Sequence, residues 1–280
     1  MHHREGNFAS VHGEDVYYQS WHPEAETRAV ILLVHGLAEH SSRYTAFAEF
    51  FTASGIAVYT LDHPGHGKSG GRRAHIRRFS DFHATLGERL AQAKDENPEL
   101  PVYLLGHSLG GLIAASFLLD RQSEFAGAIF SGPAIRAPQA PSGFALLINR
   151  VIAALWPTLG VLQLDANGVS RDPAVVAAYE SDPLVFRGKV TARLAAEVFG
   201  AMDAVRANAG RISLPILILH GAEDVMTDPA GSQELHDKAS SADKHITIYA
   251  GLFHEIFNEP ERLQILGDVK SWLEQRLASA

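Results

Sequence analysis

Gly106-His107-Ser108-Leu109-Gly110 follows directly on the apolar run Val102-Tyr103-Leu104-Leu105 and opens a helical pattern, Leu109 to Leu119. A buried strand that turns at once into a helix leaves little room around the corner. Residues near that corner must be very small, which Gly106 and Gly110 satisfy. Ser108 is then held out on a strained turn with its hydroxyl exposed. A serine hydroxyl is a weak nucleophile alone, so the G-x-S-x-G reading requires a histidine base and a carboxylate to orient it.

The chain has 280 residues, 46% hydrophobic and 20% charged, enough for one large core or one core with an inserted subdomain. Its formal net charge of -8 argues against an electrostatic grip on phosphate backbones, so nucleic acid is not an expected partner. With no cysteine there is no disulfide, thiolate nucleophile or Cys-ligated metal. Met1-His2-His3-Arg4-Glu5 lacks the apolar segment of a secretory signal, and cytoplasm is the expected compartment. The longest apolar stretch, Phe144 to Leu162, is interrupted by Asn149, Arg150 and Pro157 and falls short of a bilayer span.

Short apolar runs alternate with amphipathic segments. Val16 to Trp21, Val30 to Val34, Ile56 to Leu61, Val102 to Leu105, Ala126 to Phe130, Ile216 to Leu219 and His245 to Tyr249 read as strands. Tyr44 to Ala53, Phe79 to Lys94, Leu109 to Leu119, Gly231 to Ala239 and Glu261 to Leu277 read as helices. This alternation implies an α/β fold with a mostly parallel central sheet flanked by helices. Between Pro133 and Leu214 no clear strand is read, only helical patterns such as Phe144 to Leu155 and Thr191 to Arg206, punctuated by prolines. Residues 134–213 therefore read as a helical cap inserted before the last two strands, and 1–133 with 214–280 as the core.

The partners of Ser108 stand where such a sheet places a site. His220-Gly221-Ala222-Glu223-Asp224 follows a strand's carboxyl end, and Asp224 is the candidate orienting acid, with Glu223 and Asp228 as competitors. His254, in Gly251-Leu252-Phe253-His254-Glu255 after the last strand, is the candidate base; the order Ser108, Asp224, His254 is nucleophile, acid, base. A tetrahedral intermediate also needs donors aimed at its oxygen. The N–H groups of Leu37, in Val34-His35-Gly36-Leu37, and of Leu109 fit that role.

Three other patterns fail on spacing or setting. Gly65-His66-Gly67-Lys68-Ser69 suggests a phosphate loop, but the pattern needs glycine at Asp62. Asp62, His63 and His66 belong to a glycine-rich loop and not to an H-E-x-x-H helix, and His254-Glu255-Ile256-Phe257-Asn258 lacks the second histidine of a zinc protease. Neither a metal nor an organic cofactor is expected.

Further strings go beyond a fold-level match. His35-Gly36-Leu37-Ala38-Glu39-His40-Ser41-Ser42-Arg43-Tyr44, Asp62-His63-Pro64-Gly65-His66-Gly67-Lys68-Ser69, Gly106-His107-Ser108-Leu109-Gly110-Gly111, Tyr179-Glu180-Ser181-Asp182-Pro183 and His254-Glu255-Ile256-Phe257-Asn258-Glu259 together resemble the monoacylglycerol lipase family of α/β-hydrolases, especially its bacterial members. The resemblance runs from about Asn7 to Leu277. It implies the α/β-hydrolase fold and cleavage of monoacylglycerols to fatty acid and glycerol, with Ser108, Asp224 and His254 as triad and Leu37 and Leu109 as oxyanion hole. It also implies that Glu39, Arg43, His107 and Tyr179 lie near the glycerol head group. Relatives with thiols near the site differ from this cysteine-free chain. A lysophospholipase, thioesterase or general carboxylesterase, or a non-catalytic ligand-binding module, would share the fold. Within the cap, Phe144, Leu146, Leu147, Ile148, Val151, Ile152, Leu155 and Trp156 are expected to offer an apolar path to the acyl chain. Some of these side chains are expected to be exposed and to dock weakly on lipid aggregates or a membrane surface. The oligomeric state is open.

Overall fold

A computed structural model describes residues 1–139, 142–163 and 165–278. In chain order its elements are β1 (His2–Ala9), β2 (Asp15–His22), β3 (Ala29–Val34), α1 (Thr45–Thr52), β4 (Ile56–Leu61), α2 (Ser80–Glu96), β5 (Val102–His107), α3 (Leu109–Arg121) and β6 (Gly127–Ser131). Then come α4 (Gly143–Leu155), β7 (Gly160–Leu162), α5 (Pro173–Ser181), β8 (Val190–Thr191), α6 (Ala192–Asn208), β9 (Ile216–Gly221), α7 (Pro229–Lys238), β10 (Lys244–Tyr249) and α8 (Arg262–Leu277).

Eight strands form one sheet in the order β1-β2-β4-β3-β5-β6-β9-β10. The first two are antiparallel and β4 through β10 are parallel. The central strands are apolar throughout because both faces are covered. In β3, Val30, Leu32 and Val34 face a layer containing Phe82, Leu86 and Leu90 of α2 and Leu112 of α3. Ile31 and Leu33 face the opposite layer, with Phe47 and Phe51 of α1 and Val269 and Trp272 of α8. Each such side chain, fully buried, contributes about 1.5–3 kcal/mol.

The chain leaves the sheet after β6 and returns at β9, which pairs with β6 from Ala128↔Ile216 to Ser131↔Leu219. In between, α4 is capped by Ser142, whose side chain accepts from the Ala145 N–H, and α5 by Asp172 ahead of Pro173. The strand-free reading of this stretch needs correction, because β7 and β8 pair as a small antiparallel ribbon. The segment is tied down at several points. Phe186 N–H donates to Ala38 O at 2.8 Å, His40 Nε2 meets Asp182 Oδ2 at 2.9 Å, and Thr191 N–H donates to Ala74 O at 3.2 Å. Among the described residues no helix is long and apolar enough to cross a membrane.

Candidate active site

The turn from β5 into α3 is as tight as its glycines imply. Ser108 has φ 53 and ψ -120, a left-handed backbone that costs a non-glycine residue about 1–3 kcal/mol. A Cβ at Gly110 would run into the carbonyl oxygens of Val34 and His35, and one at Gly106 would sit 2.8 Å from Gly111 Cα. Substitution at either glycine would force β3, β5 and α3 apart and move Ser108.

Ser108 and His254 line one cavity. His254 Nδ1 donates to Asp224 Oδ2 at 2.6 Å, which leaves Nε2 as the acceptor nitrogen of the ring. Burial disfavours the charged imidazole, yet the Asp224 carboxylate beside it outweighs that penalty and raises the His254 pKa above its ordinary value. Asp224 itself is held well below the usual carboxylate range: burial opposes its charge, but His254, His220 and backbone donors prevail. Its Oδ1 accepts from Met226 N–H at 2.7 Å and Thr227 N–H at 2.9 Å, and its Oδ2 also takes the Thr227 hydroxyl at 2.8 Å. Of the competing acids, Glu223 is exposed, while Asp228 caps α7 and pairs with Arg136 at 3.0 Å.

The sequence reading assigns His220 no role. It lies next to last in β9 with no exposed surface, places Nε2 3.0 Å from Asp224 Oδ2, and has Nδ1 met by the Ser232 hydroxyl at 2.7 Å. A polar residue near the end of a wholly buried strand, four positions before the candidate acid, is the signal for it. Gly132 is a second such residue. Its φ is +49, and a Cβ there would stand 3.2 Å from His254 Nδ1.

Leu37, in the loop after β3, and Leu109, at the start of α3, line the same cavity. Leu109 is the first residue of α3, so its N–H has no intrahelical acceptor. Among the described residues none accepts the Leu37 N–H. The Leu37 turn is fixed on both sides: His35 Nδ1 donates to Gly36 O at 2.8 Å, His35 Nε2 accepts from His63 N–H at 3.0 Å, and Gly36 N–H donates to Glu39 Oε1 at 2.6 Å. Asp62 braces the same region by accepting from Ser41 N–H and Lys68 N–H. The rings of His63 and His66 pack against His35 at tilted angles, and burial lowers the pKa of all three imidazoles, that of His66 to about 3.

The cavity has a volume of about 130 Å³ and two kinds of lining. Glu39, His107, Tyr179 and Glu255 bring polar groups to it beside Ser108 and His254. Burial works against the Glu39 carboxylate, but Arg43 and its other neighbours hold its pKa at about 2. His107 is pushed down to about 4 by burial and by His254; its Nδ1 donates to Ser131 O at 3.0 Å, which leaves Nε2 to accept. Arg43 is not among the lining residues. It lies behind them, 2.9 Å from Glu39, doubly bonded to Glu255 at 2.6 and 2.7 Å, and 4.8 Å from the Tyr179 ring centre. Its apolar lining includes Leu162, Val190, Ala195, Val198, Phe199 and Met202. The expected acyl path along Phe144 to Trp156 is thus corrected, because none of those residues lines the cavity. The amphipathic pattern of α4 has its apolar stripe turned outward, whereas α6 turns Ala195, Val198, Phe199 and Met202 inward.

Known proteins resemble this chain over nearly its whole length. A family model described as serine aminopeptidase, S33 (Hydrolase_4) matches residues 25–261. The monoacylglycerol lipase of Mycolicibacterium smegmatis is 41% identical over 273 residues, 98% of each chain. The crystal structure of Paleococcus ferrophilus monoacylglycerol lipase superposes with a TM-score of 0.83 at 32% identity, covering 99% of this chain and 100% of that one. A soluble variant of monoglyceride lipase from Saccharomyces cerevisiae, in complex with a substrate analog, gives 0.84 at 25% identity, covering 98% and 94%. With its mostly parallel sheet, strained serine turn and near full-length likeness to these enzymes, the chain belongs to the monoacylglycerol lipase family of α/β-hydrolases, ester hydrolases within the Hydrolase_4 group.

Proposed function

We propose that the protein cleaves monoacylglycerols to fatty acid and glycerol through an acyl-enzyme on Ser108. The observation that carries this reading is a single cavity that Ser108 and the Asp224-paired His254 share with the buried carboxylates of Glu39 and Glu255 and with an apolar wall from α6 and β7. An amphiphile with one acyl chain and a small polyol matches both kinds of lining, the polyol forming the polar end and the chain the apolar one. Ser108 Oγ attacks the ester carbonyl as His254 Nε2 takes its proton, and the Leu37 and Leu109 N–H groups bind the oxyanion. Collapse breaks the ester C–O bond, and the proton on His254 passes to the departing glycerol oxygen. Water, deprotonated by the same nitrogen, then hydrolyses the acyl-enzyme. Loss of one oxyanion donor costs about 2.7–4 kcal/mol in such sites.

At the polar end, His107 Nε2 and the Glu39 carboxylate accept hydrogen bonds from glycerol hydroxyls and Tyr179 closes the wall, while Arg43 positions Glu39 and Glu255. A carboxylate held at about 2 repels a phosphodiester, which favours a monoacylglycerol over a lysophospholipid. Residues 134–213 serve as the cap: α6 and β7 line the acyl end, and α4 presents its apolar face outward for weak contact with lipid aggregates. Labelling with a fluorophosphonate tests the nucleophile. Stoichiometric modification of Ser108, absent in Ser108→Ala, is expected; an unlabelled folded wild type would exclude it.

A further inference from the structure

Acidic residues are distributed unevenly along this net-negative chain. None occurs between Asp62 and Asp81, a stretch that holds Lys68, Arg72, Arg73, Arg77 and Arg78, and none between Glu124 and Asp165, which holds Arg136 and Arg150. The fold brings these two stretches together. Arg72 Nη2 donates to Thr158 O at 3.3 Å, in the link between α4 and β7, and Thr191 N–H donates to Ala74 O. Phe79 and Ser80, directly after Arg78, share a groove of about 540 Å³ with Arg150 of α4 and Arg193 of α6. Glu197 is the acid in that groove; it accepts from Phe79 N–H at 2.9 Å and lies 3.6 Å from Arg193.

Arg72, Arg73, Arg77 and Arg78 are all exposed. Arg72 and Arg73 donate to backbone carbonyls and, among the described residues, neither pairs with a carboxylate, whereas Arg77 stands 3.8 Å from Glu14. Beside them α4 exposes Phe144, Leu147, Ile148, Val151 and Leu155, one stripe at helical spacing, which Trp156, Leu159, Val161 and Leu162 extend. Leu162 also lines the catalytic cavity, so this patch is continuous with the cavity wall.

We infer that the arginine loop 72–78 and the exposed apolar face of α4 and β7 form one docking surface for a negatively charged lipid bilayer. The inference rests on the lipid-ester reading above and adds the charge of the surface from which substrate is taken. An apolar stripe alone enters any interface. Cations beside it favour anionic headgroups, and that attraction fades beyond a Debye length. On a chain of net charge -8, this side carries Arg72, Arg73, Arg77, Arg78, Arg150 and Arg193 against Glu14 and Glu197, a local cationic excess that lets an anionic bilayer approach it.

Partition of full-length Ser108→Ala protein onto phosphatidylcholine vesicles, with and without about one third phosphatidylglycerol, tests this. Binding to the anionic vesicles is expected to be at least about tenfold tighter at low salt, and that excess to shrink severalfold in about 0.5 M salt. The Arg72→Gln, Arg77→Gln, Arg78→Gln triple variant is expected to lose most of the excess but keep its weaker binding to neutral vesicles. Leu147→Ser with Ile148→Ser is expected to weaken binding to both. Equal partition onto the two compositions, or a triple variant that keeps the full preference, overturns the inference. A lipid-free dimer dissociated by Leu147→Ser, with no vesicle binding, overturns it in favour of a second copy on this face. The triple variant with Ser108 intact is expected to hydrolyse a soluble short-chain ester at the unaltered rate. Loss of monoacylglycerol hydrolysis by wild type in detergent would instead sink the substrate reading and leave the vesicle result standing.

Discussion

The catalytic crevice and the outer face of α4 are opposite solutions to the burial of unlike groups. In the crevice, Asp224, His254, His220 and Glu39 are all buried, and each is paired: Asp224 alone accepts from His254, His220, Met226 and Thr227. On α4, Phe144 is 73% and Leu155 62% exposed, with no protein surface across from them. Buried polar groups without partners cost about 1–3 kcal/mol each, so the crevice is rigid because every member depends on the others. Exposed apolar groups cost the folded state little, and their stabilisation becomes available only when something else covers them. The first region is built to hold a geometry, and the second to meet an interface.

The contrast is broken most severely at its centre. Ser108→Ala is expected to lower ester hydrolysis by at least about a thousandfold with the thermal midpoint unchanged, since only oxyanion and binding effects survive. Steady-state hydrolysis alongside a melting curve checks this, and near-wild-type turnover contradicts it. His220→Ala, which touches no substrate, is expected to reduce kcat by about tenfold, roughly 1.4 kcal/mol. It leaves Asp224 with one donor fewer, so the carboxylate attracts the His254 proton more strongly and the acid limb of kcat/KM moves to higher pH. His220→Gln restores a donor and is expected to recover most of the loss; a pH profile unmoved in both variants would make His220 only a packing residue.

Titration sharpens the comparison further. Asp224 raises the His254 pKa above the ordinary value near 6.5, so the base is neutral and competent above that raised pKa and protonated below it. Activity on a soluble ester is expected to fall as pH drops below neutrality, with one protonation, and a flat profile between about pH 5 and 8 contradicts the assignment. The smallest effect belongs to the outer face. Leu147→Ser with Ile148→Ser is expected to change the melting temperature by a few degrees at most, because both side chains are already largely exposed. Soluble-ester turnover is expected to stay within about twofold, while turnover of micellar long-chain monoacylglycerol falls severalfold. Equal loss on both substrates would show that these side chains pack rather than dock.

Legibility in the sequence follows burial. β3, β4, β5, β6 and β9 are covered on both faces and stand out as unbroken apolar runs. β1, His2-His3-Arg4-Glu5-Gly6-Asn7-Phe8-Ala9, is not foreseen, because it is an exposed edge strand held by backbone pairing with β2 rather than by apolar contact. β7 and β8, three and two residues long, are too short for a period to register. α5 is also unforeseen, although Asp172 ahead of Pro173 marks its start. At the site, Ser108, Asp224 and His254 are readable because each follows a strand's end. The Arg43–Glu255 pair joins residues far apart in the chain, and its geometry comes only from the tertiary fold. The outward turn of α4 is unreadable for another reason: an amphipathic period says which residues share a face and not what lies across from it.

The substrate assignment meets its most direct test in kcat/KM for monoacyl, diacyl and triacyl glycerols and a lysophospholipid of one acyl length, presented in the same detergent. A single cavity with an apolar wall, and with Glu39 ionised in its lining, leads us to expect the monoacylglycerol to exceed each of the others by at least about tenfold. Equal or faster turnover of the lysophospholipid or the triacylglycerol would contradict the account.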